Sequence, residues 1–386
     1  MTERSGRHVL IVGVTTRALA RSAARAGYRV TAVDAFGDLD LRASAAVIML
    51  PSAAGTRFHA SAAAEAAENI PAGLVAYTSN LENYPGAVER LARGRRLLGN
   101  PPAVLTRVRN PFALSGLLRK GGFAAPLTRA TPPAGVTVTG WLVKPRRSGG
   151  GHGIETWCQG DTVPRSSYIQ QHITGLPGSV IFAANGHTAV VLGISRQLVG
   201  DRRFGAHGFR YCGSLIGSRT SPVFPGQQQL LETAEAMACD VTREFGLVGL
   251  NGLDFIARHG VPYAIEVNPR YSASMELLER AHGVSMFEIH LQACGGTLPP
   301  RLEGLPGVEG KAVVFARRNV VVGNTERWVE NRRFADVPSS GERIPSGRPI
   351  CTVFRNSPDP ATCLRELARQ AAHVYRRIGL RTRQAA

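Results

Sequence analysis

Leu253-Asp254-Phe255-Ile256 and, after a short polar turn, Ala264-Ile265-Glu266-Val267-Asn268-Pro269-Arg270 place two carboxylates, an amide and a guanidinium on one expected β-hairpin. Side chains alternate along a strand, so Glu266 and Asn268 share one face while Ile265 and Val267 point into a core. With the hairpin centred on Gly260, Asp254 falls opposite Glu266. Like charges so placed repel. A cation between them removes the conflict, and an all-oxygen donor set of Asp254, Glu266 and Asn268 suits Mg²⁺ better than zinc. The alternative is a surface hairpin whose acids face water.

Working outward from the hairpin, apolar residues Leu230, Leu231, Ala234, Met237, Ala238, Val241 and Phe245 recur at helical spacing, so a helix is expected over 227–245, ended by Gly246. Upstream, Ser179 to Ala184 and Thr188 to Leu192 flank Asn185-Gly186, a hairpin signal. Before that, the strand Gly140-Trp141-Leu142-Val143-Lys144-Pro145 runs into Arg146-Arg147-Ser148-Gly149-Gly150-Gly151-His152-Gly153. A loop without bulky side chains brings backbone N–H groups close to phosphate oxygens, and Lys144 neutralises them. It lacks the Gly-Lys-Ser/Thr ending and following helix of a P-loop, and the alternative reading is a plain turn. Ser167 to Gly175 reads as a strand entering a hinge, against which a nucleotide base could lie.

The N-terminal residues His8 to Leu41 read as strand, helix and strand of an open parallel sheet, extended by Ala46 to Leu50 and Gly73 to Thr78 and closing near Gly99-Asn100-Pro101-Pro102. Thr15 and Ala18 stand where a dinucleotide fingerprint needs its second and third glycines, which argues against a nucleotide-dependent oxidoreductase. A helix is expected over Pro111 to Arg119, followed by the connector Thr131-Pro132-Pro133. At the C-terminal end the strands Ala312 to Ala316 and Ile350 to Phe354 precede a helix from about Ala361 to Ile378.

The chain has 386 residues, enough for two or three domains. No apolar run reaches the ~18–20 residues that cross a bilayer, and no signal peptide is read at Met1-Thr2-Glu3-Arg4, so a cytoplasmic, membrane-free protein is expected. Cys158, Cys212, Cys239, Cys294, Cys351 and Cys363 show no metal-binding spacing and read as free thiols in a reducing compartment. The formal charge of +18 admits nucleic acid, an anionic membrane or acidic small molecules as partners. Only Lys120, Lys144 and Lys311 among the 46 basic residues are lysine, a skew that points to a GC-rich genome as much as to a ligand. A nucleic-acid role would use Arg365, Arg369, Arg376, Arg377, Arg381 and Arg383, but no interleaved aromatics support it.

Taken in order, Lys144, the loop Ser148, Gly149, Gly150, Gly151 and Gly153, the hinge Gln171, His172 and Ile173, then Asp254 and Glu266 with Asn268 resemble the ATP-grasp superfamily. The form Glu266-Val267-Asn268-Pro269-Arg270 is similar to that of carbamoyl phosphate synthetase and biotin carboxylase. Leu81-Glu82-Asn83-Tyr84-Pro85, Leu98-Gly99-Asn100, Tyr211-Cys212-Gly213-Ser214 and Ala335-Asp336-Val337-Pro338 with Pro349 to Val353 resemble a carboligase-like branch associated with methanopterin- and methanofuran-linked C1 metabolism and related to tyramine–glutamate ligase. The resemblance implies a mixed α/β fold: an open parallel-sheet domain over residues 1–100, a small lobe with the glycine-rich loop over 101–195, a large lobe with the metal hairpin over 196–300, both with antiparallel sheets, and a C-terminal α/β extension over 301–386.

It also implies ATP and Mg²⁺ as cofactors, with the nucleotide on Lys144, the glycine loop, the hinge and Arg109 (or Arg107), the metal on Asp254, Glu266 and Asn268, and Lys144 and Arg270 as catalytic groups. The implied reaction joins a small-molecule carboxylate to an amine through an acyl phosphate, glutamate being one acidic candidate, and a homodimer is allowed. A carboxylase using bicarbonate is the alternative. Ser195-Arg196-Gln197, Arg202-Arg203 and Arg210-Tyr211 are candidates for clamping an acidic substrate.

Overall fold

A computed structural model of the chain describes residues 7–50, 58–132, 140–218, 220–302, 304 and 307–379. The N-terminal tetrapeptide, Pro133, Arg381 and Arg383, all used in the sequence reading, lie outside the described residues.

The N-terminal unit is a parallel sheet of β1 (His8–Val12), β2 (Arg29–Asp34), β3 (Ala46–Met49), β4 (Leu74–Tyr77) and β5 (Arg96–Leu98), in the spatial order 3-2-1-4-5. Helices α1 (Arg17–Arg25), α2 (Leu39–Arg42), α3 (Ala60–Ala66) and α4 (Pro85–Ala92) connect its strands. Val9 and Ile11 join one apolar cluster and Leu10 and Val12 another, so β1 is covered on both faces, which is why it reads as a continuous apolar run. In such sheets ligands gather at the carboxyl ends of the strands, beside the point where strand order reverses. Here those ends are the turns after β1 and β4, and the second carries Glu82 and Asn83.

Helices α5 (Pro102–Val108) and α6 (Pro111–Lys120) lead to a four-stranded sheet, ordered β6 (Thr128–Arg129), β9 (Ser167–Gln171), β7 (Trp141–Pro145), β8 (Glu155–Trp157). Asn110 caps α6 by accepting from the N–H groups of Phe112 and Ala113, and Pro111 takes the first helical position, where a missing N–H does no harm.

The largest sheet is antiparallel and has eight strands among the described residues. Its order is β14 (Val261–Asn268), β13 (Val248–Arg258), β10 (Leu176–Asn185), β11 (Ala189–Val199), β12 (Tyr211–Gly217), β15 (Val308–Phe315), β19 (Pro349–Ser357) and β17 (Phe334–Ala335). A small pair, β16 (Val320–Val321) with β18 (Arg343–Ile344), and helix α10 (Glu326–Val329) lie between β15 and β19 in sequence. One face of the sheet packs through Val180, Phe182, Leu253, Phe255 and Val267 on α7 (Gln227–Phe245). On that same face α11 (Pro360–Gly379) covers β15 and β19, while the other face packs through Ile181, Ala183 and Leu250 on α8 (Met275–His282) and α9 (Met286–Cys294). This sheet draws on three of the expected segments: residue 195 falls inside β11, and β15, β17 and β19 from the expected C-terminal extension pair into the same sheet as the β13–β14 hairpin.

The hairpin register has two causes. A two-residue turn, His259-Gly260, has φ of 51° and 76°, the left-handed conformation that suits a tight hairpin, and pairs Arg258 with Val261. A bulge then shifts the pairing between Phe255, opposite Ala264, and Asp254, opposite Glu266. The extra residue is Ile265. Ala264 and Val267 enter the α7 core, whereas Ile265, expected in that core, lines the cleft beside Glu266.

Candidate active site

Asp254 and Glu266 face each other across β13 and β14, as alternation about Gly260 predicts. Asn268 donates from Nδ2 to Asp254 Oδ2 at 2.9 Å, and Arg109 donates from Nη1 to Glu266 Oε1 at 2.8 Å and to the Val267 carbonyl at 3.0 Å. Burial and the neighbouring Glu266 charge push the Asp254 carboxyl up to about 6, against the opposing pull of the Ser179, Gln197 and Asn268 side chains. Glu266 moves the other way: burial pushes its carboxyl up, but the combined positive fields of Arg109, Lys144 and Arg270 hold it below the usual carboxylate range. Two facing acids thus differ in proton affinity because one is surrounded by cations and the other by neutral dipoles.

Arg109, at the end of α5, is the basic residue inside the site; Arg107 lies outside, 3.2 Å from Glu244 on an exposed surface. Arg109 also donates to the Ser148 carbonyl of the glycine loop at 3.3 Å, as does Asn83 Nδ2 at the same distance, while Arg109 Nε donates to Asn83 Oδ1 at 3.1 Å. Glu82 and Asn83 were not among the residues singled out for chemistry by sequence. Their placement depends on the parallel sheet delivering its carboxyl-end turn to the hairpin, a pairing that no local pattern shows.

The guanidinium of Arg270 follows the hairpin. Its Nε stands 2.8 Å from Glu82 Oε1, an ion pair without hydrogen-bond alignment, and its other nitrogens donate to the Tyr271 carbonyl at 3.0 Å and Asn268 Oδ1 at 3.3 Å. The preceding turn is held by Tyr77 and Asn100, both donating to the Pro269 carbonyl, at 3.2 and 3.0 Å. Lys144, on β7, is buried, donates to Gln170 Oε1 at 3.0 Å, and lies 5.9 Å over the Tyr168 ring.

Ser148, Gly149 and Gly151 line a cleft with Lys144, Arg109, Tyr168, Ile265 and Glu266. The glycine loop closes on the large sheet: the Gly150 carbonyl accepts from Tyr211 N–H at 3.0 Å, and Gly151 has φ +79° with so little room that a Cβ would fall 1.8 Å from the Phe209 oxygen. The cleft holds about 40 Å³, short of the ~300–1,000 Å³ of small-molecule sites. A nucleotide enters only if the loop lifts. Gly153, with φ +70°, ends the loop. Gln171, His172 and Ile173 occupy the crossing from β9 to β10 but are not among the residues that line this closed cleft, and the N–H groups of Gln171 and His172 already donate to Leu127 and Gly140 carbonyls.

A row of polar side chains continues across the same face of the sheet. Asp254 pairs in register with Ser179, Ser179 with Ser195, Gln197 with Ser214, and Ser214 with Lys311. Lys311 donates to Glu276 at 3.1 Å, and Arg17 binds Glu276 with both terminal nitrogens and Asp336 at 2.8 Å. Of the expected substrate clamp, Ser195 and Gln197 lie in this row. Arg196 alternates to the other face, Arg203 is exposed and paired with Asp201 beside exposed Arg202, and Arg210 donates to the Gly347 carbonyl.

Among the described residues, no three His, Cys, Asp or Glu side chains form a metal cluster, so the hairpin offers two carboxylates and one amide oxygen. Those donors fit a hard cation in three respects. The acids repel across the register, the donors are oxygen, and Gly252 leaves a space where a Cβ would lie 3.4 Å from Ser179 Oγ and 3.5 Å from Ser272 Oγ, the latter a buried hydroxyl without a hydrogen-bond partner.

Residues 109–274 match the ATP-grasp domain family. Most of the chain superposes on solved structures of that architecture. Biotin carboxylase from Campylobacter jejuni, in a β,γ-ATP complex, aligns with a TM-score of 0.71 and 14% identity, over 93% of this chain and 89% of that one. L-amino acid ligase from Bacillus licheniformis gives 0.68 and 14%, over 95% and 97%, and N5-carboxyaminoimidazole ribonucleotide synthetase from Thermus thermophilus 0.67 and 16%, over 95% and 98%. The fold is the ATP-grasp fold. In its terms, the four-stranded sheet with the glycine loop and the eight-stranded sheet with the hairpin are the two faces that close on the cleft. An uncharacterized protein of Methanocaldococcus jannaschii is 26% identical over 116 residues, which is 30% of this chain and 28% of that protein. Among the described residues, no helix is long and apolar enough to cross a membrane.

Proposed function

We propose that this chain is an ATP-dependent carboxylate–amine ligase that works through an acyl phosphate. The observation that carries the reading is that Glu266, Arg109 and Lys144 line one cleft under the glycine loop while Asp254 faces Glu266 across the hairpin and Asn268 links Asp254 to Arg270, in a fold shared with a named amino acid ligase. Phosphoryl transfer depends mainly on positioning and charge neutralisation, which this set of residues can supply without an acid or base at the reacting atoms.

Asp254, Glu266 and Asn268 would hold Mg²⁺, which supplies charge neutralisation to the phosphates. Lys144 and the N–H groups of the glycine loop bind the phosphate oxygens, and Gln171, His172 and Ile173 border the nucleotide base where the two sheets meet. Arg109, freed from Ser148 as the loop lifts, turns toward phosphate while keeping its contact to Glu266. A substrate carboxylate oxygen attacks the γ-phosphorus, the bond to ADP breaks, and Arg270 binds the transferred phosphoryl group, the bidentate task that suits a guanidinium. A neutral amine then attacks the acyl carbon, inorganic phosphate leaves, and the nitrogen gives up one proton. The closed loop keeps water from the acyl phosphate. The polar row through Ser179, Gln197 and Ser214 is where a small acidic carboxylate, such as glutamate or a glutamyl, pterin or furan precursor, would lie.

The test is ADP and phosphate release with a panel of carboxylates and amines, glutamate included, using carboxylates labelled with ¹⁸O. The expected result is a pair that releases ADP and passes one labelled oxygen to phosphate. Turnover with unlabelled phosphate would overturn the acyl-phosphate step.

A further inference from the structure

Beyond the polar row, where β19 runs past the turn before β17 and between α8 and α11, a cavity of about 570 Å³ is lined by Arg280, Arg332, Arg333, Arg355 and Arg369 with a single carboxylate, Glu366. The five guanidinium groups come from α8, the turn before β17, β19 and α11, so the chain assembles them from four elements. Arg280 is offset from behind by Glu309 at 2.8 Å, and Arg355 donates to Gln370 and the Phe354 carbonyl. Glu366 accepts from Ser357 at 2.7 Å. Among the described residues, no carboxylate lies within ion-pair distance of Arg332, Arg333 or Arg369. Burial and the positive field of Arg333 disfavour the charged form of Arg355, so the crowding is felt within the groove.

A GC-rich genome explains an abundance of arginine but not five of them around one concavity. The shape and lining limit what answers that charge. The volume is that of a small-molecule site. Single-stranded nucleic acid needs exposed aromatic faces for its bases, and the one aromatic here, Phe354, is buried beneath the Arg280 guanidinium, 4.1 Å from its ring centre. We propose that this groove binds a small polyanion carrying two or more carboxylate or phosphate groups, each met by a guanidinium fork. Lys144, the glycine loop and the hairpin take no part in it, so the proposal stands independently of the ligase reading.

The test is calorimetric titration of the full chain, at constant ionic strength, with citrate for the carboxylate source and tripolyphosphate for the phosphate source, and with acetate as the monovalent control. Lys144→Gln serves as background to remove phosphate binding at the cleft. At least one polyanion is expected to bind one-to-one, and Arg333→Gln with Arg369→Gln, both exposed side chains, to weaken it at least tenfold. The same double variant is expected to melt no lower than its parent in low salt, because it relieves like-charge repulsion. Equal binding by parent and double variant, or no binding of either polyanion beyond the acetate control, would overturn the proposal.

Discussion

Replacing Asp254 by Asn is expected to stabilise the ligand-free protein while abolishing its response to Mg²⁺. The carboxyl is pushed up to about 6 by burial and by Glu266, whereas an unfolded chain leaves it near ~3.9. Since the folded state binds the proton more tightly, ionisation opposes folding: the unfavourable contribution is absent below about pH 4, grows through pH 4–6, and is complete above that. At about 1.4 kcal/mol per unit the full value is about 3 kcal/mol. Partial solvent access at the cleft reduces it, so about 1–2 kcal/mol is the expected gain at pH 7.5, or roughly 1–2.5 °C in Tm for a chain of this length. Asparagine keeps an oxygen for the Asn268 donor, so the packing survives. The assay is thermal unfolding of parent and variant at pH 4 and 7.5, with and without Mg²⁺ and ATP. A variant that melts lower than the parent at pH 7.5, or that keeps the parent's Mg²⁺-dependent shift, would refute the reasoning.

Gly151→Ala sets a Cβ against the Phe209 carbonyl and strains a left-handed backbone, so loop closure is expected to weaken at least tenfold; the check is a rise in ATP hydrolysis relative to product, with unchanged coupling counting against a closing loop. Glu82→Gln removes the charge paired with Arg270 and is expected to lower kcat about tenfold with little change in the KM for ATP, measured by ADP release across pH. A change confined to KM would place Glu82 with the nucleotide and not with Arg270.

The β13–β14 hairpin was legible in the sequence because its information is local: alternation fixes which side chains share a face, and a compact turn brings the two strands together. Even there, one detail came from the fold. Asp254 meets Glu266 only because a bulge at Ile265 offsets the two-residue turn by one position. The 227–245 helix was legible for the same reason, since one face must meet the sheet at every turn. The residues that sequence reading did not place share a different property. Glu82 and Asn83 reach the site from the carboxyl end of β4, and the choice of Arg109 over Arg107, both named by the sequence, is made by contacts more than a hundred residues away in the chain. Likewise β15, β17 and β19 join the large sheet by pairings between distant segments, which no window of a few residues records. The Gln171 to Ile173 hinge, read as a nucleotide border, lies outside the lining of the closed cleft because the loop is already seated on Phe209 and Tyr211.

In the proposed function the hairpin couples a divalent cation to ATP, and this coupling can be measured. Its most direct measurement is ATP affinity by calorimetry, with and without Mg²⁺, in the parent and in Glu266→Gln, with circular dichroism to show both folded. Mg²⁺ is expected to tighten ATP binding at least tenfold in the parent and to leave it nearly unchanged in the variant. An equal Mg²⁺ effect in both proteins would mean that Glu266 does not hold the cation that binds with ATP.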